Sequence, residues 1–440
     1  GDLYTFTNDI FDEIIVEKDN IVIDGAGYTV QGKGSGIGGS NGINMSYRNN
    51  VTLKNVEVTN SIHGIRLYFS GNNTLANITA SNNFIGIHLD HSKNNTLTDN
   101  NASNNEGGIF LVESSSNNNI TGNNASNNVE GILVRSSSNN NITGNNAANS
   151  AEGILIKNSS NNLLAGNNFS SNEGYGIRLD HSNNNTLTSN NVSYTGKVIG
   201  IGIRFEYSNS NLLAGNILFS NWQDGINLLV SMNNTLVDNI ALKNEVSGIV
   251  LILSGNNTLA GNTALNNEYG ILIVSTSILP FPNNTLFHNN LIDNTVQASS
   301  AGGYPNRWDD GYISGGNYWS DYTGTDTDGD GIGDVPYIID ADNEDRYPLM
   351  EPWPLSVPAM IKSLTRTVVF WNLPKGTEKS LMGKLDASLN LLDKGNENGA
   401  FHKLMDFINL VEAQKGKKLT NEQAEQLISE AQKIISLIQE

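Results

Sequence analysis

A Gly-Ile pair, followed two residues later by a second apolar residue, returns along this chain at almost constant spacing. The glycines are Gly42, Gly64, Gly86, Gly108, Gly131, Gly153, Gly176, Gly202, Gly225, Gly248 and Gly270. Intervals are 22 or 23 residues, except the 26 between Gly176 and Gly202. Alternation inside each unit (Ile65/Leu67, Ile109/Leu111, Ile154/Ile156, Ile249/Leu251) predicts a short strand with both residues facing a core. A second apolar column follows half a unit later: Leu75, Leu97, Ile120, Ile142, Leu164, Leu187, Leu213, Leu236 and Leu259. Three residues on stands Asn100, Asn123, Asn145, Asn167, Asn190, Asn216, Asn239 or Asn262, and two further on an apolar residue from Ala102 to Ala264. A unit this short cannot hold a strand-helix-strand crossover but fits one turn of a parallel β-helix. Successive turns superpose like residues at about 4.8 Å, so the asparagines should form an amide ladder. Asparagine also tolerates the left-handed backbone that sharp corners demand.

Both ends need cover, because an open turn leaves a strand edge. Tyr4 to Ile23 alternates and runs into the turn signal Asp24-Gly25, so it is expected to pair with and cover the first coil. At the other end the register is expected to lapse after Leu286. From about residue 375 the period becomes helical: Leu381, Leu385, Leu389 and Leu392, then Phe401, Leu404, Ile408 and Val411, then Leu427, Ala431, Ile434 and Ile438. Gly395 and Gly416 act as stops, and Thr420 with Gln423 forms a capping box. Ile361, Leu364, Val368 and Trp371 add a weaker helical stripe ahead of these. The expected fold is an all-β parallel β-helix (a solenoid) followed by a small α-helical bundle. The expected domains are 1–300, the β-helix with its N-terminal cap; 301–357, an aromatic and acidic capping segment; and 358–440, the helical module.

Composition narrows the function. Up to residue 357 there are 14 Lys+Arg against 34 Asp+Glu, and beyond it 11 against 10. The acidic body argues against nucleic acid and anionic lipid as partners. The chain has no cysteine, which removes disulfides and thiolate metal sites, and it has no apolar run long enough to span a bilayer. The start at Gly1 fits a removed signal peptide or a trimmed chain, and extracellular, cell-surface localisation is expected. Sixteen Asn-x-Ser/Thr triplets are candidate glycosylation sites: Asn44, Asn50, Asn72, Asn77, Asn94, Asn101, Asn119, Asn124, Asn141, Asn158, Asn168, Asn184, Asn191, Asn233, Asn256 and Asn283. Asn- and Ser/Thr-rich turns also generate such triplets by composition alone.

The residues between and after the inward pair of each Gly-Ile strand should point to solvent. Around Leu229, Val250, Ile252, Leu272 and Val274 they form an apolar strip. Either the C-terminal segment or a second subunit is expected to cover it. Arg178, Asp180, His181, Arg204, Glu206 and Tyr207 form a polar cluster beside the long loop after Ser193. Were the protein an enzyme, Arg178 or Arg204 would serve as base or charge neutraliser, with Asp180 and Glu206 holding an acidic sugar through calcium. Ion pairing along the ladder is the plainer reading.

Near the end of the β region, Asp326-Thr-Asp328-Gly-Asp330-Gly-Ile332-Gly-Asp334 places carboxylates at alternate positions around a glycine turn. That spacing predicts a structural Ca2+ loop, with Asp326, Asp328, Asp330 and Asp334 as ligands and Ile332 giving its carbonyl. Position 12 is Tyr337 in place of Glu, so it is no EF-hand, and Asp340 or Asp342 would complete the shell.

Glu17 to Gly25, the Gly-Ile and Asn-Asn-Thr-Leu coils and Gly316-Asn-Tyr-Trp-Ser-Asp-Tyr322 resemble the NosD-type family of secreted β-helix proteins of archaea and bacteria. The resemblance covers about residues 1 to 350 and implies export and a right-handed helix. The copper role behind the family name does not carry over, because copper favours clustered Cys, Met or His. His91 and His181 lie four coils apart, about 19 Å at one strand spacing per coil. The C-terminal stretch is similar to the FIMAH module of secreted proteins. The expected function is an extracellular structural or surface protein: an envelope layer, sheath, filament or adhesive rod that assembles with itself. The alternatives are a polysaccharide lyase or epimerase acting on uronic-acid polymers, or a non-catalytic binder of cell-surface glycans through Tyr318, Trp319 and Tyr322.

Overall fold

A computed structural model describes residues 2–36, 38–196, 198–275, 283–302, 305–312, 314–327, 332–353, 357–371 and 373–439. The chain divides into two compact units, Gly1–Trp353 and Pro354–Glu440.

The first unit is a right-handed parallel β-solenoid of about 13 turns. Among the described residues, a 14-stranded sheet carries the Leu column and a 13-stranded sheet carries the Gly-Ile strands. A 6-stranded sheet joins them from Asn191–Ser193 onward. Register is unbroken: Leu97 pairs with Ile120, Ile120 with Ile142, Ile142 with Leu164 and Leu164 with Leu187. All five are fully buried, so the interior is one continuous apolar file, as the period requires.

The repeating glycine is selected by crowding, since none of the Gly-Ile glycines has positive φ. A Cβ on Gly153 would sit 2.5 Å from the Gly176 carbonyl oxygen and 2.6 Å from Asn172 Nδ2 on the neighbouring coil. Only a missing side chain lets the backbones stack there.

The expected asparagine ladder is present and has companions that the sequence reading missed. In the expected file each backbone N–H donates to the Oδ1 of the next asparagine, from Asn100 on Asn123 (3.0 Å) to Asn289 on Asn317 (3.0 Å). Each amide Nδ2 also bonds the carbonyl of the coil before, as Asn190 does with Leu164 at 3.0 Å. A second file runs from Asn73 to Asn306. A third runs through Asn221, Asn244, Asn267 and Asn294, and a serine file runs from Ser70 to Ser254. These buried amides and hydroxyls close the corner backbone groups that no strand partner reaches.

The backbone N–H donors in these files point toward the C-terminal end. The first file therefore ends on a buried N–H with no further asparagine to meet it, and a carboxylate caps it: Asn317 N–H donates to Asp345 Oδ2 at 2.7 Å. Trp319 Nε1–H (2.9 Å) and Tyr347 N–H (3.1 Å) complete that carboxylate. The logic is that of an acid at a helix N-terminus. Burial outweighs these donors and pushes the Asp345 carboxyl up to about 6.

At the N-terminal end Asp2–Thr5 pairs with Ile21–Asp24 and Phe6, Ile10 and Ile14 pack against the core, while Leu3, Tyr4, Phe11 and Ile15 remain 47–72% exposed. One expectation about the ends changes. Register continues past Leu286: Leu291 pairs with Trp319, and the second amide file reaches Asn343. Trp308 and Trp319, each 1% exposed, close the core at this end, with Tyr337 stacked on Trp319 at 4.1 Å.

The second unit packs helices α1 (Val357–Phe370), α2 (Lys375–Leu392), α3 (Glu397–Gln414) and α4 (Asn421–Gln439) around Leu364, Leu381, Leu404, Phe407, Leu427 and Ile434. The capping box forms: Thr420 N–H bonds Gln423 Oε1 (2.9 Å) and Gln423 N–H bonds Thr420 Oγ1 (3.1 Å). Gly395 and Gly416, both at φ 69, follow α2 and α3.

Candidate functional site

Strand register places the polar side chains of the Gly-Ile sheet in outward columns. Arg178 lies directly across from Arg204, Arg204 from Asn227, and Asp180 from Glu206. The four residues singled out from the sequence therefore meet on adjacent coils. Glu206 holds both arginines, through Arg178 Nη2 at 3.0 Å and Arg204 Nε at 3.1 Å. Asp180, 8% exposed, is taken by Lys157 (3.0 Å) and His181. Those two partners offset its burial and hold its carboxyl below the ordinary range.

Two further members, Glu152 and Tyr175, escaped the sequence reading because they sit one residue off the repeat, while Asn227 and Asp224 lie on the next coil as their spacing implied. Glu152 approaches Arg178 at 3.7 Å, and Tyr175 lies under the same guanidinium at 5.2 Å. Arg204 bonds Asn227, whose Nδ2 reaches Asp224 at 2.6 Å. Burial raises the carboxyls of Glu152 and Asp224. Glu152 Oε2 and Arg178 Nε are buried without a hydrogen-bond partner. The result is a chain of alternating charges, Glu152–Arg178–Glu206–Arg204, in which each cation is held by a carboxylate. Such a network can orient and neutralise, but it offers neither arginine in the free, basic form that proton abstraction needs.

The apolar strip is less exposed than expected. Val250 is 2% exposed, and Leu229, Ile252, Leu272 and Val274 are half-buried. Each side chain shields its counterpart one coil away, because register stacks Leu229 on Ile252 and Ile252 on Val274.

At the corners after successive Gly-Ile strands a residue takes positive φ, and these residues form a file: Tyr47, Phe69, His91, Glu113, Ser136, Asn158, His181, Tyr207, Val230 and Leu253. Phe69 stacks on His91 at 4.5 Å and His181 on Tyr207 at 4.9 Å. Among the candidate glycosylation residues, Asn50, Asn72, Asn77, Asn94, Asn141, Asn158, Asn184, Asn233, Asn256 and Asn283 are exposed. Asn44, Asn101, Asn119, Asn124, Asn168 and Asn191 are half-buried, and the last three with Asn101 belong to a further amide file.

Of the expected calcium ligands, Asp328 and Asp330 lie outside the described residues. Asp334 closes its own loop, accepting from Thr325 Oγ1 (3.2 Å) and from Thr327 N (2.9 Å) and Oγ1 (2.6 Å), which hold its carboxyl low. Ile332 bridges Leu349. Asp340 is engaged by Asp342 N–H and Asn343 Nδ2. Tyr337 donates to Asp321 (3.1 Å). Of the aromatics considered for glycan contact, Trp319 is buried in the end of the core.

Against known families, residues 16–198 match the model described as periplasmic copper-binding protein (NosD). Residues 130–292 match the right-handed beta helix region, and residues 357–436 match the FIMAH domain. No curated protein matches the chain. Among solved structures, a mutant of the periplasmic alginate epimerase AlgG aligns at 16% identity and TM-score 0.49, over 62% of this chain and 75% of its own. DFA-IIIase from Arthrobacter chlorophenolicus A6 aligns at 12% identity and TM-score 0.46, over 59% and 83%. PfbA, a surface adhesin of Streptococcus pneumoniae, aligns at 14% identity and TM-score 0.33, over 66% and 71%.

Proposed function

We propose that this chain, a NosD-type β-helix joined to a FIMAH domain, is an exported structural rod, a surface or periplasmic scaffold that does no chemistry on its outward face. The observation that carries this reading is the mutual neutralisation of Glu152, Arg178, Glu206 and Arg204, with Asp180 taken by Lys157 and His181. The arginines that would serve as base or charge neutraliser, and the carboxylates that would hold substrate, are spent on one another and on Lys157 and His181. Buried amide files along every corner supply the complementary property, a stiff and continuous stack.

Calcium belongs to the same reading, as the counter-ion of Asp326, Asp328, Asp330 and Asp334 and a lock on the C-terminal cap, with self-assembly or glycan attachment as the use of the rod. Copper does not fit: among the described residues no group of three His, Cys, Asp or Glu side chains is placed to hold a metal ion. His63 and His88 stack with ring planes 17° apart, so their in-plane lone pairs run parallel and cannot converge on one ion.

The test is direct. Purified protein with calcium is incubated with alginate, polygalacturonate and glucuronan, with ultraviolet absorbance read for unsaturated products and proton NMR for C-5 inversion. No turnover is expected. Turnover abolished in Arg178→Ala would replace this reading with the lyase or epimerase alternative. Electron microscopy in calcium tests for ordered arrays.

A further inference from the structure

The cation at the N-terminal end of the same face behaves differently. Arg135, Arg178 and Arg204 each pair with a carboxylate, whereas among the described residues Arg66 is in no ion pair. Its Nε is buried without a partner, and so is Nδ1 of His88, the residue directly across from it on the next coil. The Arg66 guanidinium lies over the Tyr68 ring at 5.3 Å. His63 stacks on His88 at 4.6 Å. Asn41 Nδ2 donates to Glu13 at 2.8 Å, so its Oδ1 accepts from His63 Nδ1–H at 2.8 Å. That leaves His63 Nε2 as an acceptor. Burial, with Arg66 nearby, drops His63 to about 3 and His88 to about 4, so both rings are neutral at neutral pH.

Unmet buried polar atoms on outward side chains are costly. Arg66 and His88 are only half-buried as residues, so both side chains present surface to solvent beside those atoms. The missing partner must supply an anion for Arg66 and a group that suits an imidazole nitrogen in either tautomer. A carboxylate does the first. A hydroxyl, both donor and acceptor, does the second and also meets His63 Nε2. Tyr47 and Phe69, 58% and 48% exposed, add ring surface beside Tyr68 for a carbon-hydrogen face. The acidic excess of the body is weaker here. Between residues 41 and 112, Arg48, Lys54, Arg66 and Lys93 balance Glu57, Asp90, Asp99 and Glu106, and Glu13, bonded to Asn41 and Asn44, adds one nearby anion.

We propose that the outward face of the coils carrying His63, Arg66, Tyr68 and His88 is a binding site for a sugar acid, its carboxylate on Arg66 and its hydroxyls on the two imidazoles. The site requires no catalysis and stands apart from the Arg178 network.

The experiment is titration calorimetry of the full chain with trigalacturonate and trimannuronate. The neutral trisaccharide of the same linkage and short poly-L-glutamate serve as comparison probes. Saturable binding of at least one triuronate is expected. Affinity should fall at least tenfold in Arg66→Ala and in Arg66→Lys, which keeps the charge but loses the Nε–H, and should hold in Lys157→Ala, on the same sheet but in the distant Asp180 pair. Circular dichroism and melting of each variant confirm folding. Absence of uronate binding overturns the proposal, as does equal binding of the neutral sugar, equal binding of poly-L-glutamate, or binding indifferent to Arg66.

Discussion

Replacing Asn190 by alanine tests whether the amide files hold the rod together. Asn190 Nδ2 bonds Leu164 O (3.0 Å) and Asn216 Oδ1 (2.9 Å), and its Oδ1 accepts from Asn167 N (3.0 Å) and Nδ2 (2.9 Å). After truncation Asn216 Oδ1 keeps the Asn190 backbone N–H, and Asn167 Nδ2 keeps the Ile142 carbonyl. One buried group is left with nothing, the Asn167 N–H; the Leu164 carbonyl loses its amide donor but stays within the strand ladder. The orphan costs about 1–3 kcal/mol, so about 2–4 kcal/mol is expected with the lost amide bond and packing. Solenoid coils couple mainly to their neighbours, so a single global melt is a poor reporter. Hydrogen exchange with residue resolution is the assay, and protection across the coils around Leu164 to Asn216 should fall by roughly 10² to 10³. Asn190→Asp keeps the acceptor for Asn167 but removes the amide donor to the Leu164 carbonyl and buries a charge, so it should not rescue. If protection in these coils changes less than tenfold, the files are ornaments of composition and do not stiffen the rod.

Other consequences follow from the same geometry. Gly153→Ala puts a Cβ 2.5 Å from a carbonyl of the next coil and should cost at least about 1–3 kcal/mol in urea unfolding. Gly144, at φ 65 with open space, should accept asparagine with less than about 1 kcal/mol change. Acid acts oppositely at the two ends. His63 and His88 titrate lower folded than unfolded, so the unfolded chain binds more protons, and their coils should lose hydrogen-exchange protection as pH falls from 6.5 toward 4. Asp345, raised to about 6, binds its proton more readily when folded, so over the same range the cap should gain up to roughly 3 kcal/mol, absent in Asp345→Asn. Chelation with EGTA should lower the melting temperature of the wild-type chain and leave Asp326→Asn/Asp334→Asn less changed; an identical wild-type melt would remove calcium from the account.

Period alone determined the solenoid. A strict repeat of like residues admits one arrangement that stacks them, so the interior file from Leu97 to Leu187, the glycine column and one amide ladder were legible from residue order. The helical module was legible for the same reason, through 3.6-residue stripes and the Thr420/Gln423 box. What the repeat could not reveal depends on distances between coils. The second and third asparagine files lie at corners whose neighbours vary, so their columns blur in an alignment of repeats. Asp345 lies outside the repeat, and only folding brings it onto the last donor of the file that ends at Asn317. Arg66 and Arg178 occupy the same outward column and look equivalent in sequence. Tertiary placement alone gives Arg178 a carboxylate on the next coil and leaves Arg66 facing an imidazole, because charge pairing is set by the rungs above and below.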